Sequence, residues 1–153
     1  MVTLAAARAG ASVTHVDASK ASVDWARRNA SLSGLADRPI RWLVDDAGGF
    51  VAREARRGRR YDGIVLDPPS FGHAGRRQWR LLDELPALLA ACASVAAEEA
   101  FVLLTAHTAG VDGDALAETL EQAFPEATSE IVPLGLDAAS GARLDLGWAV
   151  RVG

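Results

Sequence analysis

The sequence predicts an α/β fold in which a doubly wound, mainly parallel sheet is covered by helices. Short apolar runs alternate with longer segments whose apolar residues recur at helical spacing. Three of the apolar runs end in aspartate, at Asp17, Asp45 and Asp67. With 153 residues, of which 50% are hydrophobic and 24% charged, the chain has ordinary globular composition. One domain over residues 1–153 is therefore expected.

The strands and helices are predicted to alternate along the whole chain. In order, the predicted elements are a helix over 3–9 that ends at Gly10, a strand over 12–16, a helix capped by Ser19 and closed by Gly34, a strand over 40–44, a helix carrying Phe50, Val51 and Ala55, a strand over 61–66, a helix capped by Asp83, a strand over 101–105, a helix over 114–124 stopped by Pro125, and two strands over about 128–134 and 146–152. The last two strands are joined by a stretch that carries Gly and Asp, so they are expected to form an antiparallel pair.

Local chemistry supports these assignments. A serine such as Ser19 accepts a hydrogen bond from the first turn of a helix, and Val23, Ala26 and Ala30 then share one helical face. The helix from Asp83 tolerates Pro86 in its first turn, where no backbone donor is needed. The run Ile64 to Leu66 is continuously apolar, which is typical of a strand buried on both faces.

The segment Asp67-Pro68-Pro69-Ser70-Phe71 is the clearest candidate site. Proline cannot continue a sheet ladder, so the strand stops with a carboxylate at its tip. The rigid proline backbone would hold carbonyl groups and an aromatic ring beside that carboxylate, as a floor for a flat substrate. A plain surface turn after a core strand is the alternative interpretation.

Two further acids are expected at the same kind of strand end, where ligands bind in open α/β sheets. A carboxylate such as Asp17 can accept from both hydroxyls of a ribose, and one at the next strand tip, Asp45 or Asp46, can accept from the exocyclic amine of an adenine. Each of these residues is also a common helix N-cap. Together they predict a nucleoside-type pocket.

Three motifs resemble those of class I S-adenosylmethionine-dependent methyltransferases: Val16-Asp17-Ala18-Ser19, Asp46-Ala47 with Phe50, and Leu66-Asp67-Pro68-Pro69-Ser70-Phe71. Within this class, the chain is similar to the ribosomal RNA large-subunit methyltransferases that carry an Asp-Pro-Pro-x-Phe motif. The stretch 144–152 resembles the final strand of that group, so the resemblance covers nearly the whole chain.

The resemblance implies a Rossmann-like methyltransferase sheet, S-adenosylmethionine as cofactor and RNA as target. It implies that Asp17 and Ala18 hold the ribose, that Asp46 and Ala47 hold the adenine, and that Asp67 to Phe71 border the methyl group and the target. The chemistry would be direct displacement at the sulfonium methyl group. Such a reaction needs in-line positioning and exclusion of water more than a strong acid or base.

The chain departs from the family pattern in three places. Relatives that methylate a pyrimidine carbon have a nucleophilic cysteine after the strand matching 101–105, where this chain has Thr105 to Thr108. The single cysteine of this chain, Cys92, lies on an apolar helix face and is expected to be inert. Ser70 separates the prolines from Phe71, so the target atom stays open. The family's first strand and glycine-rich loop are not found before Thr3, which predicts an N-terminally truncated methyltransferase domain.

Charge and composition limit the partners. The net charge is −4, so an RNA partner would need a local basic patch, for which Arg76, Arg77 and Arg80 are the candidates. His73 and His107 fall on the active edge and are expected to be exposed loop histidines. No metal site is expected, because the three histidines are widely spaced in the sequence. The single cysteine and the absence of a long apolar run predict a cytoplasmic protein without a membrane anchor.

Two alternatives remain open from the sequence. One is a catalytically inactive remnant or interaction module that keeps the sheet without the cofactor loop. The other is a Rossmann-type nucleotide-binding oxidoreductase, which would also place Asp17 on a ribose. The Asp-Pro-Pro turn favours methyl transfer over the oxidoreductase, because a nicotinamide site does not call for it.

Overall fold

The computed structural model describes residues 2–74 and 77–153 and confirms the mixed α/β architecture. The helices are α1 (Val2–Arg8), α2 (Lys20–Leu32), α3 (Ala47–Arg56), α4 (Leu81–Ala93) and α5 (Gly113–Ala123). The strands are β1 (Val13–Asp17), β2 (Ile40–Val44), β3 (Tyr61–Leu66), β4 (Phe71–Ala74), β5 (Arg77–Arg80), β6 (Ala96–Ala106), β7 (Ser129–Asp137) and β8 (Arg143–Val152). Contacts divide the chain into two compact units, Met1–Arg53 and Glu54–Gly153. One domain over residues 1–153 stays a prediction.

The first unit is built on a parallel pair, β1 and β2. The register places Asp17 opposite Val44, and the backbone N–H of Asp45 donates to the carbonyl of Asp17 at 3.0 Å. Since parallel strands run in the same direction, the acids that follow both strands lie at one edge of this sheet.

Helix α2 forms as its sequence predicts. The Ser19 hydroxyl accepts from the backbone N–H of Ser22 at 3.2 Å, which satisfies one of the donors that a helix start leaves open. The apolar positions Val23, Ala26 and Ala30 are all buried. The helix is thus defined by one cap and one apolar face.

The second unit contains a four-stranded mixed sheet in the order β3-β6-β8-β7. Strands β3 and β6 are parallel, whereas β8 runs antiparallel to both β6 and β7. This confirms the predicted antiparallel pair at the end of the chain. Both strands are longer than predicted, so the connection between them shortens to residues 138–142.

The core of the second unit lies where α4 and α5 pack with the buried residues of β6 and β8. Its fully or almost fully buried members are Leu81, Leu85, Leu89, Val102, Leu104, Ala106, Leu116, Ala117, Leu120, Val150 and Val152. Burying a leucine or valine side chain of this kind contributes about 1.5–3 kcal/mol. This core fixes the end of β6, which carries part of the site.

Three sequence predictions are wrong or incomplete. Ile64, Val65 and Leu66 are half-buried rather than buried on both faces, since β3 pairs with β6 alone among the described strands. Asp83 does not cap α4, which begins at Leu81 and holds Asp83 in its first turn. The hairpin of β4 and β5 was not predicted, because its short strands have little apolar alternation.

Candidate active site

Asp17 ends β1, and its carboxylate is only partly used by the protein. Oδ1 accepts from the backbone N–H of Ser19 at 2.7 Å, a bond that turns the chain from β1 towards α2. Oδ2 has no protein partner in the part of the chain that the structure describes. A carboxylate oxygen accepts from hydroxyl groups, so this oxygen is available to a polar ligand, with the exposed Ala18 beside it.

The structure distinguishes the two acids that follow β2. Asp45 forms an ion pair with Arg53, and its Oδ1 accepts from the N–H of Asp46 at 2.9 Å. Asp46 is exposed, and only its Oδ2 is engaged, accepting from the N–H of Gly49 at 2.7 Å. Both carboxylate oxygens of Asp45 therefore contact protein groups, whereas Oδ1 of Asp46 is available to a ligand.

Ala47 completes a donor and acceptor pair with Asp46. It is the first residue of α3, and the first N–H groups of a helix have no acceptor within the helix. The exposed carboxylate of Asp46 and the N–H of Ala47 thus lie next to each other along the chain. An accepting oxygen beside a donating N–H matches the amine and ring nitrogen at the edge of an adenine.

In the second unit, Asp67 follows β3 and is held from one side. The hydroxyl of Thr105 donates to Oδ1 of Asp67 at 2.7 Å, and Nε2 of His107 lies 3.4 Å from the same oxygen. Oδ2 has no partner among the described residues. The side chain of Asp67 is 64% exposed, so the open oxygen is accessible to a large substrate.

The turn after Asp67 is tied down at two more points. The hydroxyls of Ser70 and Thr108 lie 2.6 Å apart, and the indole N–H of Trp79 donates to the carbonyl of Pro69 at 2.8 Å. Pro68 is half-buried, whereas the ring of Phe71 is 73% exposed. The turn therefore presents an open carboxylate and an open aromatic ring on a fixed backbone.

Sequence reasoning missed the residues that hold this turn. Thr105, Thr108 and Trp79 were not predicted as site residues. Thr105 lies near the end of β6, the strand parallel to β3, and Thr108 follows that strand, so both belong to the same sheet edge as Asp67. His107 was expected to be an exposed loop residue. Its side chain is 53% exposed, yet both ring nitrogens lie against protein oxygens, since Nδ1 is 2.5 Å from the carbonyl of Leu146.

Other candidate groups lie away from this turn. Cys92 is buried, and burial raises the pKa of its thiol to about 11, in agreement with an inert cysteine. Arg80 is exposed, whereas Arg76 and the side chain of Arg77 lie outside the described residues. No three described residues of the metal-binding types come together, and no described helix is long and apolar enough to cross a membrane.

His15 is half-buried and carries the one buried side-chain nitrogen or oxygen atom without a partner among the described residues. Its Nδ1 lies 2.9 Å from the Thr3 hydroxyl, its ring is 5.1 Å from that of Trp42, and its Nε2 is buried without a partner. Burial lowers the pKa of His15, and the charge of Asp17 opposes that shift. His15 therefore packs against Thr3 and Trp42 within the first unit.

The chain is similar in sequence and in structure to proteins named as methyltransferases. No family model matches the chain. Half of the chain is 40% identical over 84 residues to the ribosomal RNA large subunit methyltransferase K/L of Pseudomonas paraeruginosa. Among solved structures, the SAM-dependent methyltransferase from Agrobacterium tumefaciens is 35% identical over 99% of this chain, with a TM-score of 0.94. SMU.776, whose structure is a complex with SAH, is 18% identical over 98% of this chain and 41% of its own, with a TM-score of 0.82.

The chain has the class I methyltransferase fold and resembles the large-subunit ribosomal RNA methyltransferases. It spans 10% of the length of the Pseudomonas relative and 52% of the Agrobacterium chain. The resemblance predicted from Asp17, Asp46 and the turn at Asp67 is therefore confirmed for the fold.

Proposed function

We propose that the chain takes part in S-adenosylmethionine-dependent methyl transfer to RNA of the ribosomal kind. The observation that carries the proposal is the turn at Asp67, where Thr105 holds one carboxylate oxygen and the other is open beside two prolines. Relatives at 35% and 40% identity are named methyltransferases, which supports this function over hydride transfer.

The residues of the first unit suit the nucleoside part of the cofactor. Asp17, with Ala18 beside it, would border the ribose through its open oxygen, and Asp46 with Ala47 would receive the adenine. In the second unit, Asp67 would border the methyl group. S-Adenosylmethionine supplies, when bound, a methyl group on a positively charged sulfur, which leaves as a neutral thioether.

The turn residues would act by positioning. Displacement at a methyl group depends on holding the target in line with the leaving sulfur, and positioning alone accounts for a large part of such a rate. Pro68 and Pro69 restrict the backbone, the bond from Trp79 to Pro69 fixes it further, and the exposed ring of Phe71 offers a face on which a base can stack.

RNA would be bound through the hairpin that follows the turn. Arg77 and Arg80 belong to β5 of this hairpin, and Arg76 precedes Arg77 in the sequence. Cationic side chains contact phosphates without regard to sequence. Because the net charge is −4, a local basic patch has to supply the attraction. Because the proposed substrate is ribosomal RNA, the proposal includes a cytoplasmic location for the protein.

Calorimetry with S-adenosylmethionine tests the cofactor site. The chain is titrated alone and, in parallel, with any in-frame residues encoded upstream. Asp17→Asn should weaken binding by roughly 10- to 100-fold, because a hydrogen bond to a charged group contributes about 1.5–3 kcal/mol. Asp37→Asn, at an exposed position of the same unit, is the matched control. Equal affinity of both variants would contradict the role of Asp17, and no binding by either form of the protein would contradict the function.

Transfer of a labelled methyl group to total RNA tests the substrate. The double variant Arg77→Gln with Arg80→Gln should weaken RNA binding and reduce the slope of log affinity against log salt by about 1.4, as expected for the loss of about two phosphate contacts on single-stranded RNA at about 0.7 each. The matched control exchanges the exposed Arg56 and Arg59 for glutamine. Equal losses in both double variants would show that the effect is one of overall charge.

A further inference from the structure

The end of β6 and the segment after it contact the turn at Asp67 in three places. Thr105 donates to Oδ1 of Asp67 at 2.7 Å, His107 lies 3.4 Å from that oxygen, and Thr108 is 2.6 Å from the hydroxyl of Ser70. The carboxylate is therefore held at one oxygen by two side chains. Its other oxygen has no partner in the described chain.

The ring of His107 is itself oriented by β8. Its Nδ1 lies 2.5 Å from the carbonyl oxygen of Leu146, and a carbonyl only accepts, so Nδ1 must carry the hydrogen. That assignment turns Nε2 towards Asp67. With the hydrogen on Nδ1, Nε2 can donate to Oδ1 only in the imidazolium form of the ring, and the contact is then an ion pair.

The approach of β8 to this histidine depends on Gly147. Its φ is +92°, and a Cβ at this position would lie 2.0 Å from the carbonyl oxygen of Ala106 and 3.1 Å from Cα of His107. Only glycine allows two backbones to come this close in this conformation. The strand pairing of β8 with β6 thereby brings the Leu146 carbonyl to the ring.

The contact of His107 with Asp67 is poorly suited to a purely stabilising role. The two side chains are 53% and 64% exposed, and an ion pair in such a position adds little to stability. What the contact does determine is geometry, since it occupies Oδ1 and leaves Oδ2 open. A carboxylate fixed in this way can meet a donor group of the target in one orientation.

We propose that His107 is a positioning residue for methyl transfer, which links the Leu146 carbonyl on β8 to Oδ1 of Asp67 and so presents Oδ2 to the target base. The proposal rests on the proposed function of the turn. It adds a residue of the segment after β6 to the machinery, together with the strand that orients it.

Substitutions at His107 separate this role from a structural one. Asparagine places an amide near the position of Nδ1, so His107→Asn keeps the bond to Leu146 and loses the contact with Asp67. Glutamine reaches the position of Nε2, so His107→Gln keeps a donor to Asp67. Glu118→Gln, at an exposed position of α5, is the control.

The expected result is a loss of kcat of about 10- to 100-fold in His107→Asn, with partial recovery in His107→Gln and no change in the Kd of S-adenosylmethionine or in the control. Full activity of His107→Asn would overturn the proposal. So would a loss of activity that follows the thermal midpoint across all variants, since that is the pattern of a structural role.

Nitrogen-15 NMR of the imidazoles gives a readout without catalysis. The chain has three histidines, so the signals of His107 are assigned by their loss in His107→Gln. A hydrogen on Nδ1, and a shift of the Nε2 signal in Asp67→Asn, are expected. A bare Nδ1, or no response to Asp67→Asn, would overturn the inference about His107. An inactive wild-type protein with the expected NMR signals would overturn only the proposed function.

Discussion

Replacing Gly147 by alanine is expected to destabilise the second unit by about 2–6 kcal/mol. An L-residue held at a φ of +92° carries strain of about 1–3 kcal/mol. The added Cβ would also lie 2.0 Å from the carbonyl oxygen of Ala106, and overpacking of this kind costs about 1–3 kcal/mol more. Since Leu146 precedes this glycine, the same change should also displace the carbonyl that orients His107.

Gly141 provides the control for the steric part. Its φ is +84°, but a Cβ there would have no atom within 4 Å, so Gly141→Ala carries the backbone strain alone. Unfolding in urea, followed by circular dichroism, should place Gly147→Ala about 1–3 kcal/mol below Gly141→Ala. Equal stabilities would refute the close approach of β8 to Ala106, and with it the argument for the position of His107.

Two further predictions concern buried titratable groups. Because burial lowers the pKa of His15, the charged ring is disfavoured in the folded state. The contribution of His15 to the free energy of unfolding should be fully present above its ordinary pKa of 6.5 and should be lost as the pH falls below it. Urea unfolding at pH 8 and pH 5 should therefore show a smaller pH dependence in His15→Gln than in the wild type. The opposite sign would show that the ring gains a partner on protonation. Since burial raises the pKa of Cys92 to about 11, a thiol reagent at pH 8 should label this residue only after unfolding. Rapid labelling of the folded chain would show that the face of α4 that carries Cys92 is accessible to solvent.

The sequence predicted most of the elements, because their signals are local. Helix α2 needs only the Ser19 cap and an apolar face, and β2 spans residues 40–44 as its apolar run indicates. The antiparallel end of the sheet also followed from two apolar stretches separated by turn residues. The β4 and β5 hairpin was not predicted, because its short strands have little apolar alternation; one of its residues, Trp79, donates to the carbonyl of Pro69 in the preceding turn.

For the candidate site too, local sequence determined some features and tertiary contacts determined the others. The sequence alone determined that aspartates follow the strands and that two prolines stop β3, because these are properties of neighbouring residues along the chain. Only the tertiary structure decided which carboxylate oxygens stay open. Asp45 is closed by Arg53, and Oδ1 of Asp67 is held by Thr105, a residue 38 positions away. The Thr105 contact arises from the parallel register of β3 and β6, which places Leu66 opposite Leu104, and no local pattern encodes that register.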